Sequence, residues 1–230
     1  MKKITGVFAI TIALLMINNF ANAQAFQKGN INIDLGIGFG AYGTKSTFTT
    51  TSNGVSISDS ETDGAASTLV PVQIEYGVTD RIGVGFLFQY NNYFINDSDK
   101  VSLDKVSCVD FGLNFNFHLL NSDRNDLFVT AGLGMSSISV DYTSLASLFV
   151  ESYGGTGVYY GLGITDRFFI LDNVGLLFNI SYRGYSYSAL EAEFTPDAKT
   201  IIANSSSTFT QELDWSFSGV NIGTGIALKF

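Results

Sequence analysis

Few residues in this chain are equipped for chemistry, and their spacing excludes most of the chemistry they suggest. Asp59-Ser60-Glu61-Thr62-Asp63-Gly64 sets carboxylates at alternate positions before a glycine. That is the opening half of a calcium loop, in which a tight turn gathers several oxygens around a hard cation. The acid required at the twelfth position is missing, because Val70 stands there, so a solvated acidic loop is expected and no metal site is assigned. His118 is the single histidine, which excludes multi-histidine metal centres. As a general base it would need a nucleophile within reach, and no recognisable nucleophile pattern accompanies it. A hydrogen bond inside the fold is expected of it, and no enzymatic activity, catalytic residue or cofactor is assigned. Gly36-Ile37-Gly38-Phe39-Gly40 and Gly83-Val84-Gly85 lack dinucleotide-loop spacing and open no helix. Cys108, the only cysteine, forms no internal disulfide and reads as a small inward filler.

The elements that must position these residues are strands. In residues 30–42, Ile31, Ile33, Leu35, Ile37 and Phe39 alternate with Asn32, Asp34, Gly36, Gly38 and Gly40, a period of two. The same alternation marks residues 68–78, with Val70, Val72, Ile74 and Tyr76 on one face, and residues 82–90, with Val84, Phe86 and Phe88. It continues in residues 106–119, where Phe111, Leu113, Phe115 and Phe117 alternate with Asp110, Gly112, Asn114 and Asn116. Further strands are expected over residues 127–135, from residue 157 onward, over 173–185 and over 219–230. The apolar set is large and continuous, while the other set is Gly, Ser, Asn and a few charges. Such residues suit the cramped interior of a small barrel with lipid outside it better than a solvent face. Two positions disturb the pattern. Pro71 removes a ladder hydrogen bond and is expected to be tolerated by closeness to the first long loop. Asp166 falls on the lipid side of its strand, so a bulge or an interfacial position is expected there.

The connections fall into two lengths. Residues 79–81, 120–126 and 170–173 are short; residues 44–67, 92–105, 137–156 and 186–216 are long, and the two kinds alternate. Short turns at one end and long loops at the other give an even strand number with both termini at the short-turn end, which in an outer-membrane barrel is periplasmic. Tyr42, Tyr90, Tyr93, Tyr182 and Trp215 are expected to form one interfacial girdle and Tyr76, Phe117 and Phe230 the other.

Lys2 and Lys3, the apolar run of residues 4–16 and the Ala21-Asn22-Ala23 site describe a cleaved leader, leaving residues 24–230 as a single barrel domain. Removing the two lysines takes the formal charge from −9 to −11. Phosphate binding needs clustered Lys and Arg, so nucleic acid is not an expected partner.

The mature chain resembles the small outer-membrane β-barrel proteins, the porin family related to the transmembrane domain of OmpA and to OmpX. The resemblance rests on Glu75-Tyr76-Gly77-Val78-Thr79-Asp80-Arg81-Ile82-Gly83-Val84-Gly85, on Leu171-Asp172-Asn173-Val174-Gly175-Leu176 and on Gly225-Ile226-Ala227-Leu228-Lys229-Phe230. It implies an all-β, eight-stranded antiparallel up-and-down transmembrane barrel in the outer membrane. It also implies that Phe230, Leu228 and Ile226 are read by the outer-membrane assembly machinery. Full-length OmpA relatives continue into a peptidoglycan-binding domain; residue 230 ends the last strand here, so wall anchoring by that route is not expected. The partners implied are outer-membrane lipids and surface or host ligands met by the long loops, with the barrel a monomer. Narrow transport of small or hydrophobic solutes is the alternative. Inside the barrel, Asp34, Glu75 and Lys229 are expected in the lower lumen, and Asp110 paired with Arg183 above them. Buried charges need partners, and an eight-stranded barrel is just wide enough to be filled by side chains.

Overall fold

The computed structural model describes residues 24–95, 103–143, 149–204 and 208–230; the expected leader lies outside them. Eight antiparallel strands close into a barrel in chain order: β1 (Ile31–Ser52), β2 (Val55–Gly77), β3 (Ile82–Tyr93), β4 (Leu103–Asn121), β5 (Asn125–Tyr142), β6 (Val150–Leu171), β7 (Val174–Phe194) and β8 (Phe209–Lys229). One helix, α1 (Pro196–Asn204), stands between β7 and β8. The β1–β8 seam runs from Ser52↔Phe209 to Asn32↔Lys229.

The outward face defines a band. On β1 the exposed apolar run ends at Phe39, and on β8 it ends at Val220. Beyond those points the same faces carry Thr47, Thr49 and Thr51, or Ser218 and Ser216. The nine residues 31–39, at about 3.3 Å per residue and a tilt of about 40°, rise about 23 Å. Large side chains left bare around a whole barrel need hydrocarbon against them, so the band is the membrane-spanning belt.

Most strands outrun that belt. Of the expected long loops, residues 44–67 are nearly all strand: β1 and β2 continue as a hairpin that turns only at Asn53 and Gly54, with φ of 50° and 80°. Two consecutive positive φ values are what a two-residue hairpin turn requires, and Asn-Gly supplies them. Thr47–Ser60, Thr49–Ser58 and Thr51–Ser56 hydroxyl pairs at 2.8, 2.9 and 2.7 Å lace one face of the hairpin, a cross-strand ladder that makes a polar segment regular. Asp59, Glu61 and Asp63 therefore stand at alternate positions of an extended strand, about 7 Å apart, and do not converge as a calcium loop does. Residues 137–156 and 186–216 are likewise mostly strand, the latter with α1.

Pro71 lies well inside β2, not beside its loop. The β1–β2 ladder is paired up to Leu35↔Val72 and resumes at Gly38↔Leu69 without a change of register, leaving Gly36 and Ile37 opposite Val70 and Pro71 unpaired. A Cβ on Gly36 would meet the proline ring at 2.9 Å, so the missing N–H and the missing side chain occupy the same spot. Asp166 carries no bulge. The β5–β6 and β6–β7 ladders run evenly through it, and the exposed apolar face of β6 continues past it at Phe168 and Ile170.

At the seam, the Phe230 N–H donates to Ile31 O at 2.8 Å and Ile31 N–H donates to Phe230 O at 3.0 Å. Deleting Phe230 removes both bonds and an aromatic group, so less folded barrel should be recovered from membranes. Gel mobility with and without boiling measures this, and unchanged abundance of the compact form in the deletion variant would contradict it.

Candidate functional site: a filled lumen under an open vestibule

Strand parity sends two layers of polar and aromatic side chains into the barrel. The lower layer is built on Arg167 of β6, which is fully buried. Its Nε and Nη2 donate to the two oxygens of Asp34 at 3.0 and 2.7 Å, the paired geometry that suits a guanidinium to a carboxylate. Its Nη1 lies 2.7 Å from Glu75 Oε2 and donates to Asp126 Oδ2 at 3.0 Å. His118 closes the ring, with Nε2 3.0 Å from Glu75 Oε1 and Nδ1 2.5 Å from Asp126 Oδ1. Carboxyl groups at both nitrogens are satisfied either by a ring that carries two protons or by a neutral ring that accepts one proton from an acid. Asn116 Nδ2 donates to Glu75 Oε1 at 2.6 Å. Three carboxylates thus enclose one guanidinium and one imidazole, with Phe128 under the Arg167 guanidinium at 4.4 Å.

The segment before β1 covers this layer. Phe26 is fully buried and stacks on the His118 ring at 3.4 Å. Its neighbours are held in place by the short turns. Ala25 N–H donates to Ser122 O at 2.8 Å and Phe26 N–H to Asn121 Oδ1 at 2.9 Å, while the Asn121 amide donates back to Phe26 O. Lys229 points inward as expected but does not join the acids of the lower lumen. Its Nζ donates to Gln24 O at 2.9 Å and sits over the Phe169 ring, so it fastens the covering segment.

The upper layer centres on Asp110, also fully buried. It accepts from Ser136 at 2.5 Å, Asn91 at 2.9 Å and Tyr185 at 3.0 Å. Tyr187 supports Ser136 at 2.6 Å. The expected partner, Arg183, stands 3.7 Å away and over the Tyr159 ring, so it is a peripheral member and Asp110 is held mainly by neutral donors. Tyr42, Tyr93 and Trp215, expected in the lipid girdle, face the interior instead. Tyr42 donates to Asn221 at 2.6 Å, and all three pack with Tyr185, Tyr187 and Phe217. Tyr76 and Tyr182 do face lipid. Cys108 fills space beside Asn91 and Tyr93.

Between the layers lies a cavity of about 80 Å³ bounded by Asp34 below and Arg183 above. Above the tyrosines is a wider vestibule of about 310 Å³ between the projecting hairpins. Of the expected lumen residues, Asp34 and Glu75 come together and Asp110 and Arg183 meet loosely. Arg167, Asp126 and Phe26 are not among the expected ones. Parity identifies the first two: with Ile164 and Leu127 outward, positions 167 and 126 must point inward.

Fold and lumen together define an integral membrane β-barrel filled at two levels by its own side chains. No protein-family model matches the sequence and no curated protein matches it significantly. Among solved structures, OprG of Pseudomonas aeruginosa is similar with a TM-score of 0.55, at 12% identity, over 89% of this chain and 97% of that one. A major outer membrane protein from Thermus thermophilus aligns over 83% of this chain and 99% of its own at 12% identity, with a TM-score of 0.46. Neisserial surface protein A aligns over 84% and 97% at 12% identity, with a TM-score of 0.42. The chain has the fold of the small outer-membrane β-barrel proteins, and identity this low relates folds, not tasks.

Proposed function

We propose that this chain is a monomeric integral outer-membrane barrel with both termini in the periplasm, acting as a structural and surface-interaction protein through its outward hairpins. The observation that carries the reading is the contrast between a lumen filled at two levels, by the Arg167 ring and by the Asp110–tyrosine layer, and hairpins that rise well beyond the apolar belt. A barrel built mainly to pass solutes has no need of that filling, and a barrel without an outside task has no need of that projection. The β1–β2 hairpin is the longest such extension without a helix and is polar on its outer face, which suits contact with a hydrated partner. Lipids hold the belt, and the strand ending at Ile226, Leu228 and Phe230 is the segment offered to the assembly machinery.

Two measurements on cells test this. A cysteine placed at Ser58 should react with an impermeant maleimide on intact cells, because it lies at the hairpin end; protection there would reverse the orientation. Replacing residues 46–60 by a two-residue turn should lower attachment of cells to host or abiotic surfaces while leaving the amount of heat-modifiable barrel unchanged. Attachment unaffected by that truncation would remove the hairpin from the function.

Solute passage is the second reading, and one observation favours it. The open ladder at Gly36, Ile37, Val70 and Pro71 adjoins the cavity of about 80 Å³, so the wall lacks ladder bonds beside the space between the two filled layers.

A further inference from the structure

The vestibule has two unlike walls separated by one strand. On β2, Glu61 and Asp63 pair with Ser46 and Thr44 of β1; on the other side of β1, Ser46 and Thr44 pair with Trp215 and Phe217 of β8. Two cross-strand rows therefore read carboxylate, small hydroxyl, aromatic. With neighbouring strands about 4.8 Å apart, the acids and the aromatics stand about 10 Å from each other across the short side chains of Thr44 and Ser46, which leave the space between them free. Trp215 packs on Phe217 with ring centroids 4.6 Å apart, so the aromatic wall is fixed from below. Toward β4 and β5 the lining turns apolar, with Val106, Val140 and Tyr142.

Charge decides what fits. Glu61 and Asp63 are the only charged residues lining the vestibule among the described residues. Lys45, between Thr44 and Ser46 in sequence, lies on the opposite face of β1 by strand parity. A carboxylate pair facing an indole is a combination that favours a cation twice, through the acids and through the negative face of the ring. The apolar remainder favours a ligand with a hydrocarbon or aromatic body, because a metal ion or a polyamine would leave that surface wet. The volume of about 310 Å³ is at the lower end of small-molecule sites.

We propose that this vestibule is a binding site for a small organic ammonium ion with an apolar body, its charge set between the Glu61 and Asp63 carboxylates and Trp215. The proposal rests on the reading that the hairpin end is the working end of the barrel, and it names a ligand class for that end.

Trp215 is the only tryptophan of the chain, so its emission reports the site without labelling. Purified barrel in an uncharged maltoside detergent is titrated with benzyltrimethylammonium, and with phenylmethanesulfonate as the anionic control. A saturable change with the ammonium and none with the sulfonate is expected. Glu61→Gln combined with Asp63→Asn should weaken binding by about tenfold or more, equivalent to about 1.4 kcal/mol. Both carboxylates are exposed and outside the belt, so the variant should keep its heat-modifiable fold. Calorimetry on Trp215→Leu, which retains both acids, provides the second measurement and should also show weaker binding. A response that never saturates, equal affinity in the carboxylate variant, unchanged affinity in Trp215→Leu, or an equal response to the sulfonate would each overturn the proposal. Because the assay uses purified protein, its failure would leave cell attachment by the hairpins standing, and loss of attachment would leave the ammonium site standing.

Discussion

Arg167→Met lowers the stability of the folded barrel by about 3–5 kcal/mol, the cost of stranding buried charges that have lost their partner. Three carboxylates depend on this one guanidinium. Asp34 receives three of its hydrogen bonds, Asp126 one, and Glu75 a contact of 2.7 Å. His118 alone would then face Glu75 and Asp126, and Asp34 would have no cation. Methionine fills the space without supplying charge, so the loss is electrostatic and not a cavity. Adding Asp34→Asn and Glu75→Gln to Arg167→Met should recover part of the stability, since fewer buried charges then need compensation. The folded fraction against urea, read by gel mobility without boiling, measures both effects. Independent, additive losses in the combined variant would show that the three residues do not act as a unit. Arg183→Met is the informative contrast. Asp110 keeps Ser136, Asn91 and Tyr185 as donors, and the 3.7 Å separation from Arg183 is long, so a smaller cost than that of Arg167→Met is expected.

Phe26→Ala should cost about 3–5 kcal/mol as a fully buried aromatic truncated to a methyl group, although Phe26 belongs to no strand. Its ring stacks on His118 with centroids 3.4 Å apart, closer than the tilted Phe128 ring at 4.9 Å. Its backbone is held to Asn121 and its neighbour to Ser122, so removing the ring leaves the segment attached but the lower layer open to water. Water admitted there weakens the charge network beneath it by raising the local dielectric. The substitution should therefore also make Arg167→Met less harmful, a coupling that a double-mutant cycle detects. A loss of less than about 1 kcal/mol would mean that the segment merely lies against the barrel mouth.

Much of this architecture is legible in the sequence because a barrel strand has a period of two and two chemically opposite environments. Ile31 to Phe39 cannot be read another way, and Asp34 and Glu75 follow as inward residues by count. What stays hidden has specific causes. Arg167 is masked by Asp166 beside it, which raises the question of a bulge, and Asp126 is masked by the turn it adjoins. The same count places Tyr42, Tyr93 and Trp215 inward, but aromatic residues near a membrane boundary suggest a girdle, and the two signals conflict. The β1–β2 hairpin resembles a loop because Thr, Ser and Asp dominate it; hydroxyl ladders, not apolar alternation, make it a strand. Phe26 gives no signal at all, since nothing in a short segment before the first strand says that it folds under the barrel.

A lumen filled at two levels by the Arg167 ring and the Asp110–tyrosine layer should block ions, and conductance of the unmodified protein in planar bilayers shows whether it does. Purified barrel inserted at a density confirmed by protein quantitation should give no steady current steps, while Phe26→Ala combined with Arg167→Met should give small, flickering ones. Stable, ion-selective steps from the unmodified protein would contradict the claim and put solute passage ahead of surface interaction.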